Sequence, residues 1–315
     1  MTAQHGAAIK GAGGGAAHPD EVAAAHRRAL AGASAQDRYV EIVGGRHVHA
    51  IEAGNGKPLV LLHGSGPAAL LFLPLLERLK DVRAIAVDRP GFGLSDPIDR
   101  PLEPYRASAI DTVTRILDAL GVARAALLGN STGGAWALWF ALAHPDRVSR
   151  LVLVGATPSL PGTHVPPPML AVAAPPVGQP PNMPAPSRAT VVQTMRVMGE
   201  ADTIVTYPDQ IDALVAAGSD PLASATSLGE MRAMISPTGW QPELAIRPEE
   251  LRQLTIPTLL IWGENDPLGG ADVARTTAAT IPNALVEVVS AGHAPWLGHH
   301  DRVATLVSDF LRRDP

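Results

Sequence analysis

Cysteine is absent from this chain of 315 residues, which excludes disulfide bonds, thiolate metal sites and a cysteine nucleophile. Runs of lysine and arginine are also missing and the formal net charge is −5, which argues against nucleic acid as a partner, because phosphate binding needs a basic surface. No apolar run approaches the ~18 residues of a membrane span, and the N-terminal stretch lacks the apolar centre of a secretory signal. The lack of cysteine leaves the compartment open, but the lack of a membrane span and of a secretory signal predicts a cytoplasmic protein.

Hydrophobic residues form 46% of the chain, so a large core can be buried. Two alternating runs, RYVEIV and RHVHAI, flank Gly44 and Gly45 and predict a β-hairpin. Continuous apolar runs, which are expected of strands buried on both faces, occupy residues 58–63, 82–88, 123–129, 150–155, 257–263 and 284–289. Helical patterns lie between them at residues 68–79, 105–120, 132–143, 271–280 and 300–312. This alternation predicts an α/β fold with an eight-stranded, mostly parallel sheet and helices on both faces.

The chain divides into an extension, a core in two parts and an insertion. Residues 1–37 form the extension, in which residues 1–18 are rich in alanine and glycine and predicted to be flexible, and residues 20–33 predict a helix. Residues 38–156 and 250–315 form the predicted core. Residues 157–249 break the alternation, because they are rich in proline, carry six of the seven methionines and predict helices near 187–199, 208–217 and 222–235. We interpret this segment as a helical cap, or lid, inserted after the sixth strand.

The stretch LLGNSTGGAW, residues 127–136, places Ser131 among glycines where a buried strand passes into a helix. Such an abrupt turn needs small neighbours, and Gly129 and Gly133 supply them in the pattern Gly-x-Ser-x-Gly, the nucleophile-elbow motif. The turn would hold the serine hydroxyl clear of the sheet at a helix N-terminus, where free N–H groups and the helix dipole favour negative charge. Ser131 is therefore the candidate nucleophile.

A serine hydroxyl becomes a nucleophile at neutral pH only with a base, and the base needs an orienting carboxylate. The expected chain order is serine, acid, histidine. His293, in SAGHAPW, follows the last predicted strand and is the candidate base, while Glu264 and Asp266, in WGENDP, are the candidate acids. His299 and His300 are adjacent and point in different directions on a helix, which predicts solvated side chains and no metal site.

Four local patterns together resemble the α/β-hydrolase superfamily: LLHGSGP, DRPGFGLSD, GNSTGG, and the pair WGENDP with GHAPW. The resemblance covers roughly residues 38–156 and 250–313. It implies a triad with Ser131 as nucleophile, Asp266 as acid and His293 as base, and so favours Asp266 over Glu264. It also implies a cap between the sixth and seventh strands of the sheet.

The same resemblance implies an oxyanion hole made of two backbone N–H groups. One belongs to Ser65, after the His-Gly of HGSGP, and the other to Thr132, after the nucleophile. Attack on a carbonyl places negative charge on its oxygen, and two such donors would stabilise that charge. We interpret His63, Asp88 and Arg89, in the neighbouring patterns, as structural residues.

The methionines of the insertion suit a deformable apolar pocket wall, because the methionine side chain is flexible and polarizable. The predicted substrate-binding residues are Met195, Met198, Met231, Met234, Trp240 and Trp296. The first four follow helical spacing, so packing within the cap is an equally good explanation for them.

Fold alone does not fix the reaction. The leading interpretation is hydrolysis of a carboxylic ester of a small to medium apolar substrate through an acyl-enzyme, without a metal or organic cofactor. The alternative is hydrolysis of a carbon–carbon bond in a vinylogous diketone, because HGSGP, GNSTGG and Trp296 resemble the ring-fission-product hydrolases. Against it, PAALLFLP departs from the glycine-rich continuation of those enzymes. The insertion also has few basic residues to hold a dianionic substrate, namely Arg188, Arg196, Arg232 and Arg247.

Other reactions and one different class of protein stay open. Amide, lactone and carbamate substrates would suit the same triad. Epoxide hydrolases and haloalkane dehalogenases of this fold use an aspartate at the elbow, so Ser131 argues against both. A non-enzymatic ligand receptor on the same fold could keep the triad, and the sequence does not define the oligomeric state.

Overall fold

The computed structural model of the chain describes residues 18–66, 68–97, 104–173 and 185–313. The strands in these residues are β1 (Ala35–Val43), β2 (Arg46–Ala53), β3 (Lys57–Leu62), β4 (Val82–Val87), β5 (Ala125–Asn130), β6 (Val148–Val154), β7 (Ile235–Ser236), β8 (Gly239–Trp240), β9 (Thr258–Gly263) and β10 (Ala284–Val289). Eight of them form one sheet in the order β1-β2-β4-β3-β5-β6-β9-β10, while β7 and β8 pair separately. The predicted eight-stranded sheet is confirmed.

The sheet is mostly parallel. The hairpin at Gly44 and Gly45 pairs β1 with β2 in antiparallel fashion, and β2 is antiparallel to β4. Every other neighbouring pair in this sheet is parallel. Because β2 alone runs in the opposite direction, the carboxyl ends of the other seven strands meet at one edge, which is where open parallel sheets bind their ligands.

Helices cover both faces of the sheet. They are α1 (His18–Leu30), α2 (Leu73–Leu76), α3 (Tyr105–Ala119), α4 (Thr132–Ala143), α5 (Pro167–Ala173), α6 (Arg188–Val197), α7 (Ala201–Ile204), α8 (Pro208–Ser219), α9 (Pro221–Met234), α10 (Pro248–Gln253), α11 (Ala271–Thr280), α12 (Pro295–Gly298) and α13 (His300–Arg312). Side chains alternate across β3, so Val60 and Leu62 pack with α3 and α4, whereas Leu59 and Leu61 pack with α2 and α13. Both sides of the central strands are buried, which explains their continuous apolar runs.

The insertion, residues 157–249, lies between β6 and β9 and is called the cap segment below. Two of its helices begin at side-chain caps that the sequence supplies: Ser187 accepts a hydrogen bond from the N–H of Thr190, and Asp220 accepts from those of Leu222 and Ala223. Residues 174–184 lie outside the described residues. The function of the cap segment as a lid stays a prediction.

The N-terminal extension contains α1, which packs against α8 of the cap segment. Val22 and Ala25 of α1 are buried, and His26 is hydrogen-bonded to Asp37 of β1 at 2.7 Å. The helix thus connects β1, the outermost strand on that side of the sheet, to the cap segment. The flexibility predicted for residues 1–18 falls, except for residue 18, outside the described residues.

One predicted helix has a different form in the structure. Residues 68–79 contain a 3-10 helix, Ala69–Phe72, followed by the single turn of α2. Pro74 lies in that turn and has no N–H to donate, so a continuous α-helix would lack a hydrogen bond there.

Among the described residues, no helix is both long enough and apolar enough to cross a lipid bilayer.

Candidate active site

Ser131 lies on a strained turn between β5 and α4. Its backbone has φ 53° and ψ −125°, a conformation that residues with a side chain rarely adopt. Neighbouring glycines permit the turn, since a Cβ on Gly133 would collide with the carbonyl oxygen of Leu62. A Cβ on Gly64 would lie 3.4 Å from the Ser131 hydroxyl oxygen, so the loop after β3 passes directly beside the serine. The local geometry has the form of the predicted elbow.

His293 and Asp266 form a buried pair at the same sheet edge. Nδ1 of His293 lies 2.8 Å from Oδ2 of Asp266, and these residues are 7% and 4% exposed. The Asp266 carboxylate is oriented by the N–H groups of Ala156 at 2.7 Å and Leu268 at 2.9 Å. Glu264, the other candidate acid, is exposed. The structure therefore joins the histidine to Asp266.

Asn130 brings the histidine loop to the serine turn. Its side-chain Nδ2 donates to the carbonyl oxygens of Val154 at 2.8 Å and His293 at 3.1 Å. Because Asn130 immediately precedes Ser131, these bonds hold the two candidate catalytic segments side by side. Within the described residues, the hydrogen bonds of His293 do not include one to Ser131.

The cap segment also holds the histidine loop. The N–H of His293 donates to the carbonyl oxygen of Met198 at 2.9 Å, and that of Ala294 donates to Oε1 of Glu200 at 3.0 Å. Glu200 is 3% exposed, and this burial raises its pKa to about 7. Burial disfavours the imidazolium form of His293, but the Asp266 carboxylate outweighs it and, with Glu200, raises the pKa of His293. His293 is thus a buried imidazole that is hydrogen-bonded to Asp266 and lies near a second acidic side chain, Glu200.

Ser65 lies between the start of α4 and the cap segment. Its hydroxyl oxygen is 2.9 Å from Oγ1 of Thr132 and 2.5 Å from Oε2 of Glu230, on α9. The two predicted oxyanion donors are therefore linked through their side chains. His63 holds the beginning of this loop, because its Nδ1 lies 2.7 Å from the carbonyl oxygen of Gly64 and its Nε2 accepts from the N–H of Arg89 at 2.9 Å. Burial lowers the pKa of His63 to about 4, which suits a structural imidazole.

The predicted substrate-binding residues are divided between two apolar clusters. Met234 is buried with α3 and α4, and Met198, Met231 and Trp240 pack against that cluster while partly exposed. Met195 and Trp296 belong to the cluster on the other face of the sheet. Nε1 of Trp296 donates to the carbonyl oxygen of Leu71 at 2.8 Å, and its ring packs on Phe72. Contact of these six side chains with substrate stays a prediction.

The basic residues of the cap segment are mostly at its surface. Arg188 is exposed and bonded to Asp212 at 2.6 Å, and Arg196 is exposed and bonded to Gln193 at 2.6 Å. Arg247 is exposed as well, and Arg232 is partly buried.

Among the residues that the structure describes, one group of side chains has ligand atoms close enough for a metal ion. His26, Asp37 and His49 each offer one such atom, all within 4.8 Å of one another. Both ring nitrogens of His49 already lie at hydrogen-bond distance from carboxylates, at 3.0 Å from Asp37 and 2.7 Å from Asp88. Burial alone would lower the pKa of His49, but these two carboxylates raise it to about 9, which favours a proton over a metal there. The expected absence of a metal site stays a prediction.

Sequence reasoning missed the two buried carboxylates of the cap segment, Glu200 and Glu230. A signal for Glu230 was available, because it precedes Met234 by four residues and therefore lies on the same face of α9. Glu200 has no comparable signal, since it lies between two helices, after Gly199. Arg89, interpreted as structural, is fully buried and forms the ion pair with Glu230.

Comparisons with known proteins agree on one family. A profile of the alpha/beta hydrolase fold family matches residues 57–299. A 2-hydroxy-6-oxononadienedioate/2-hydroxy-6-oxononatrienedioate hydrolase of Burkholderia vietnamiensis is 30% identical over 295 residues, which cover 89% of this chain and 97% of the relative. A pimeloyl-[acyl-carrier protein] methyl ester esterase of Shewanella woodyi is 31% identical over 281 residues, which cover 84% of this chain and 98% of the relative. The solved 2-hydroxy-6-oxo-6-phenylhexa-2,4-dienoate hydrolase of a Rhodococcus species has a TM-score of 0.73 at 20% identity, covering 89% of this chain and 99% of that one, and shows the shared fold.

Proposed function

This chain belongs to the alpha/beta hydrolase fold family and is a hydrolytic enzyme, and we propose that it cleaves a carboxylic ester of a small to medium apolar substrate through an acyl-enzyme. The observation that carries the proposal is the buried His293–Asp266 pair, which is held beside the strained Ser131 turn by Asn130. A serine, an imidazole and a carboxylate in this chain order can perform acyl transfer without a metal or an organic cofactor.

In the first half of the reaction His293 acts as the base. Nδ1 is engaged with Asp266, so Nε2 is the atom that takes the proton of the Ser131 hydroxyl. The serine oxygen attacks the acyl carbon, and the N–H groups of Ser65 and Thr132 stabilise the oxyanion. His293 then gives its proton to the departing alcohol, which leaves the acyl group on Ser131.

Water completes the cycle. His293 removes a proton from a water molecule, the hydroxide attacks the acyl-enzyme, and the same two N–H groups stabilise the second oxyanion. Collapse of this intermediate releases the carboxylic acid and returns the proton to Ser131. Asp266 keeps the imidazole in the required tautomer and stabilises its protonated form throughout.

Two observations favour an ester with an uncharged acyl group. Of the four arginines of the cap segment, Arg188, Arg196 and Arg247 are exposed and Arg232 is only partly buried, so they provide little support for a buried anion-binding site. Arg89 is buried near Ser65, but Glu230 already neutralises it with two hydrogen bonds, at 2.5 Å and 2.9 Å. A substrate carboxylate would have to displace Glu230 to reach that guanidinium.

Hydrolysis of a carbon–carbon bond remains the second candidate. The Burkholderia relative named for that substrate class matches 89% of this chain at 30% identity, as closely as the esterase relative does. Ser131, Asp266 and His293 would serve that reaction equally well. The exposure of Arg188, Arg196 and Arg247 is the observation that supports our preference for the ester.

Turnover of two substrate classes tests the proposal. We expect the wild type to hydrolyse 4-nitrophenyl butyrate faster than a dianionic ring-fission product, and Ser131→Ala to lose both activities. A faster rate with the ring-fission product would show that the enzyme cleaves a carbon–carbon bond and that the ester proposal is wrong. Equal rates for wild type and Ser131→Ala on every substrate would favour the receptor hypothesis over any enzyme of this type.

A further inference from the structure

Glu230 is a carboxylate of the cap segment that is buried against the core. It is 3% exposed, and its donors come from three different parts of the chain. Oε1 accepts from Nη1 of Arg89 at 2.5 Å and from the hydroxyl of Tyr105 at 2.7 Å, while Oε2 accepts from Nη2 of Arg89 at 2.9 Å and from the hydroxyl of Ser65 at 2.5 Å. One carboxylate thus joins α9 to the loops that follow β3 and β4 and to the start of α3.

The partners of Glu230 are themselves fixed in place. The guanidinium of Arg89 lies over the rings of Phe92 and Trp136, at 4.9 Å and 4.6 Å from their centroids. Nε1 of Trp136 donates to the Tyr105 hydroxyl at 2.9 Å, so that hydroxyl is free to donate its own proton to Glu230. These contacts hold the carboxylate in one place.

Stability alone does not account for this arrangement. A buried ion pair loses about as much hydration free energy as its attraction returns, and apolar side chains of the same volume are often as stable or more so. A positional requirement explains the pair better, because bidentate hydrogen bonds and a fixed set of donors define the carboxylate position closely.

The directions of the hydrogen bonds show how Glu230 holds the Ser65 side chain. Although burial opposes ionisation, the Arg89 guanidinium keeps the pKa of Glu230 below its ordinary value, so the carboxylate only accepts. The Ser65 hydroxyl therefore donates its single proton to Glu230, and the Thr132 hydroxyl donates to Ser65. A chain of two hydrogen bonds runs from the first residue of α4 through Ser65 to the cap segment.

The loop after β3 is anchored at both ends by other residues. His63 holds its beginning, and the N–H of Ala69 donates to Oδ1 of Asp88 at 2.7 Å near its end. Between these anchors, the Ser65 hydroxyl ties the loop to α4 on one side and α9 on the other.

We propose that Glu230 is a positioning residue of the oxyanion hole, which holds Ser65 so that its N–H and that of Thr132 converge on the same oxygen. This inference rests on the proposed function, in which those two N–H groups stabilise the oxyanion. Because Glu230 belongs to α9, the bond to Ser65 exists only while the cap segment is seated on the core. Stabilisation of the transition state is thereby coupled to the position of the cap segment.

Substitution of either partner tests the proposal. Glu230→Gln keeps the size of the side chain but turns one acceptor into a donor, and Ser65→Ala keeps the backbone N–H while removing the bond to Glu230. We expect each to lower kcat for the 4-nitrophenyl ester by about 10- to 100-fold, with KM within about threefold, since loss of a whole oxyanion donor costs about 10²–10³ in kcat. The double variant should be no slower than the slower single variant. Glu243→Gln, an exposed carboxamide substitution in the same segment, is the matched control and should retain wild-type kcat.

Amide hydrogen exchange provides a readout that does not depend on ester turnover. In Glu230→Gln and in Ser65→Ala, peptides covering residues 63–69 should exchange at least about tenfold faster than in the wild type, while peptides covering β9 should be unchanged. A role in cap stability alone would instead raise KM and accelerate exchange within α9 most strongly.

Separate results overturn the two proposals. If Ser131→Ala abolishes turnover but Ser65→Ala retains wild-type kcat, the ester function stands and the positioning role is wrong. The positioning role would also be contradicted if the loss of kcat in the double variant were the product of the two single losses. Unchanged amide exchange at residues 63–69 would contradict it as well. If wild type and Ser131→Ala turn over the ester equally, the proposed function fails, and hydrogen exchange alone decides whether Glu230 positions the loop. Ser65→Ala leaves the buried ion pair intact, so it gives the answer even if Glu230→Gln does not fold.

Discussion

The imidazole of His293 and the carboxylate of Asp266 are joined by a 2.8 Å hydrogen bond in a buried part of the sheet edge. The bond occupies Nδ1 and so leaves Nε2 as the atom that can exchange a proton with a substrate or with Ser131. Two backbone N–H groups, one on each carboxylate oxygen, hold the aspartate in this orientation.

Asp266→Asn should reduce kcat by about 10⁴-fold with little loss of folding, because an amide in this position favours the wrong histidine tautomer. Circular dichroism and urea unfolding would verify that the variant is folded, and ester turnover would give the rate. Glu264→Gln is the matched control, since Glu264 is exposed two residues away, and it should stay near the wild-type rate. The reverse result would transfer the acid role to Glu264.

The pH dependence of kcat/KM should report the ionisation of His293. The base must be neutral to accept a proton, so activity should rise with pH through the pKa of His293, which lies above its ordinary value of 6.5. In Asp266→Asn the main group that raises this pKa is removed and burial then dominates, so the acidic limb should move to lower pH. If the acidic limb does not move, over the pH range in which the enzyme stays folded, then it does not report the ionisation of His293.

Glu200→Gln should change how stability depends on pH. The pKa of Glu200 is about 7 in the folded chain against 4.5 for an unperturbed glutamate, so the unfolded state releases this proton first. Wild-type stability should therefore fall as pH rises from about 4.5 to about 7, by up to about 3 kcal/mol at about 1.36 kcal/mol per pH unit. The glutamine cannot ionise and still accepts from the N–H of Ala294. Urea unfolding at pH 5 and pH 8 should show that the stability of the variant, relative to the wild type, is greater at pH 8. An equal difference in the free energy of unfolding at the two pH values would be evidence against a protonated Glu200.

Arg89→Met should destabilise the fold by about 3–5 kcal/mol, because it leaves the Glu230 carboxylate buried without its counter-ion. Arg89→Met combined with Glu230→Met removes both charges and should lose less stability than the single substitution. Urea unfolding of the two variants at pH 7 makes the comparison. A double variant that is less stable than Arg89→Met would show that the pair itself, and not the unpaired charge, supplies the stability.

The sequence predicts the sheet and the helices of the core closely because their signals are local. Continuous apolar runs mark the strands, and α11 and α13 have the predicted limits of 271–280 and 300–312. The elbow is equally local, since Gly133 and Ser131 are two residues apart. Chain order predicts the candidate triad, and the choice between Asp266 and Glu264 depends on the family resemblance or on the hydrogen bond between His293 and Asp266 in the structure.

The contacts between core and cap segment could not be predicted in the same way. Ser65 and Glu230 are separated by 165 residues, and Arg89 and Glu230 by 141, so no periodic pattern relates them. Their pairing depends on how α9 packs on the core, which is decided by the tertiary fold of the whole segment. The division of Met195 and Met234 between two clusters has the same cause, because helical spacing shows which residues share a face but not what that face contacts.

Labelling with a fluorophosphonate tests most directly whether Ser131 is an activated nucleophile. The reagent forms a covalent bond to a serine whose proton is taken by a neighbouring base, and peptide mass spectrometry identifies the modified residue. We predict one adduct in the wild type, on Ser131, with none on that residue in Ser131→Ala and a rate at least about 10³-fold lower in His293→Ala. An adduct at another serine, or equal labelling rates for the wild type and His293→Ala, would contradict the account.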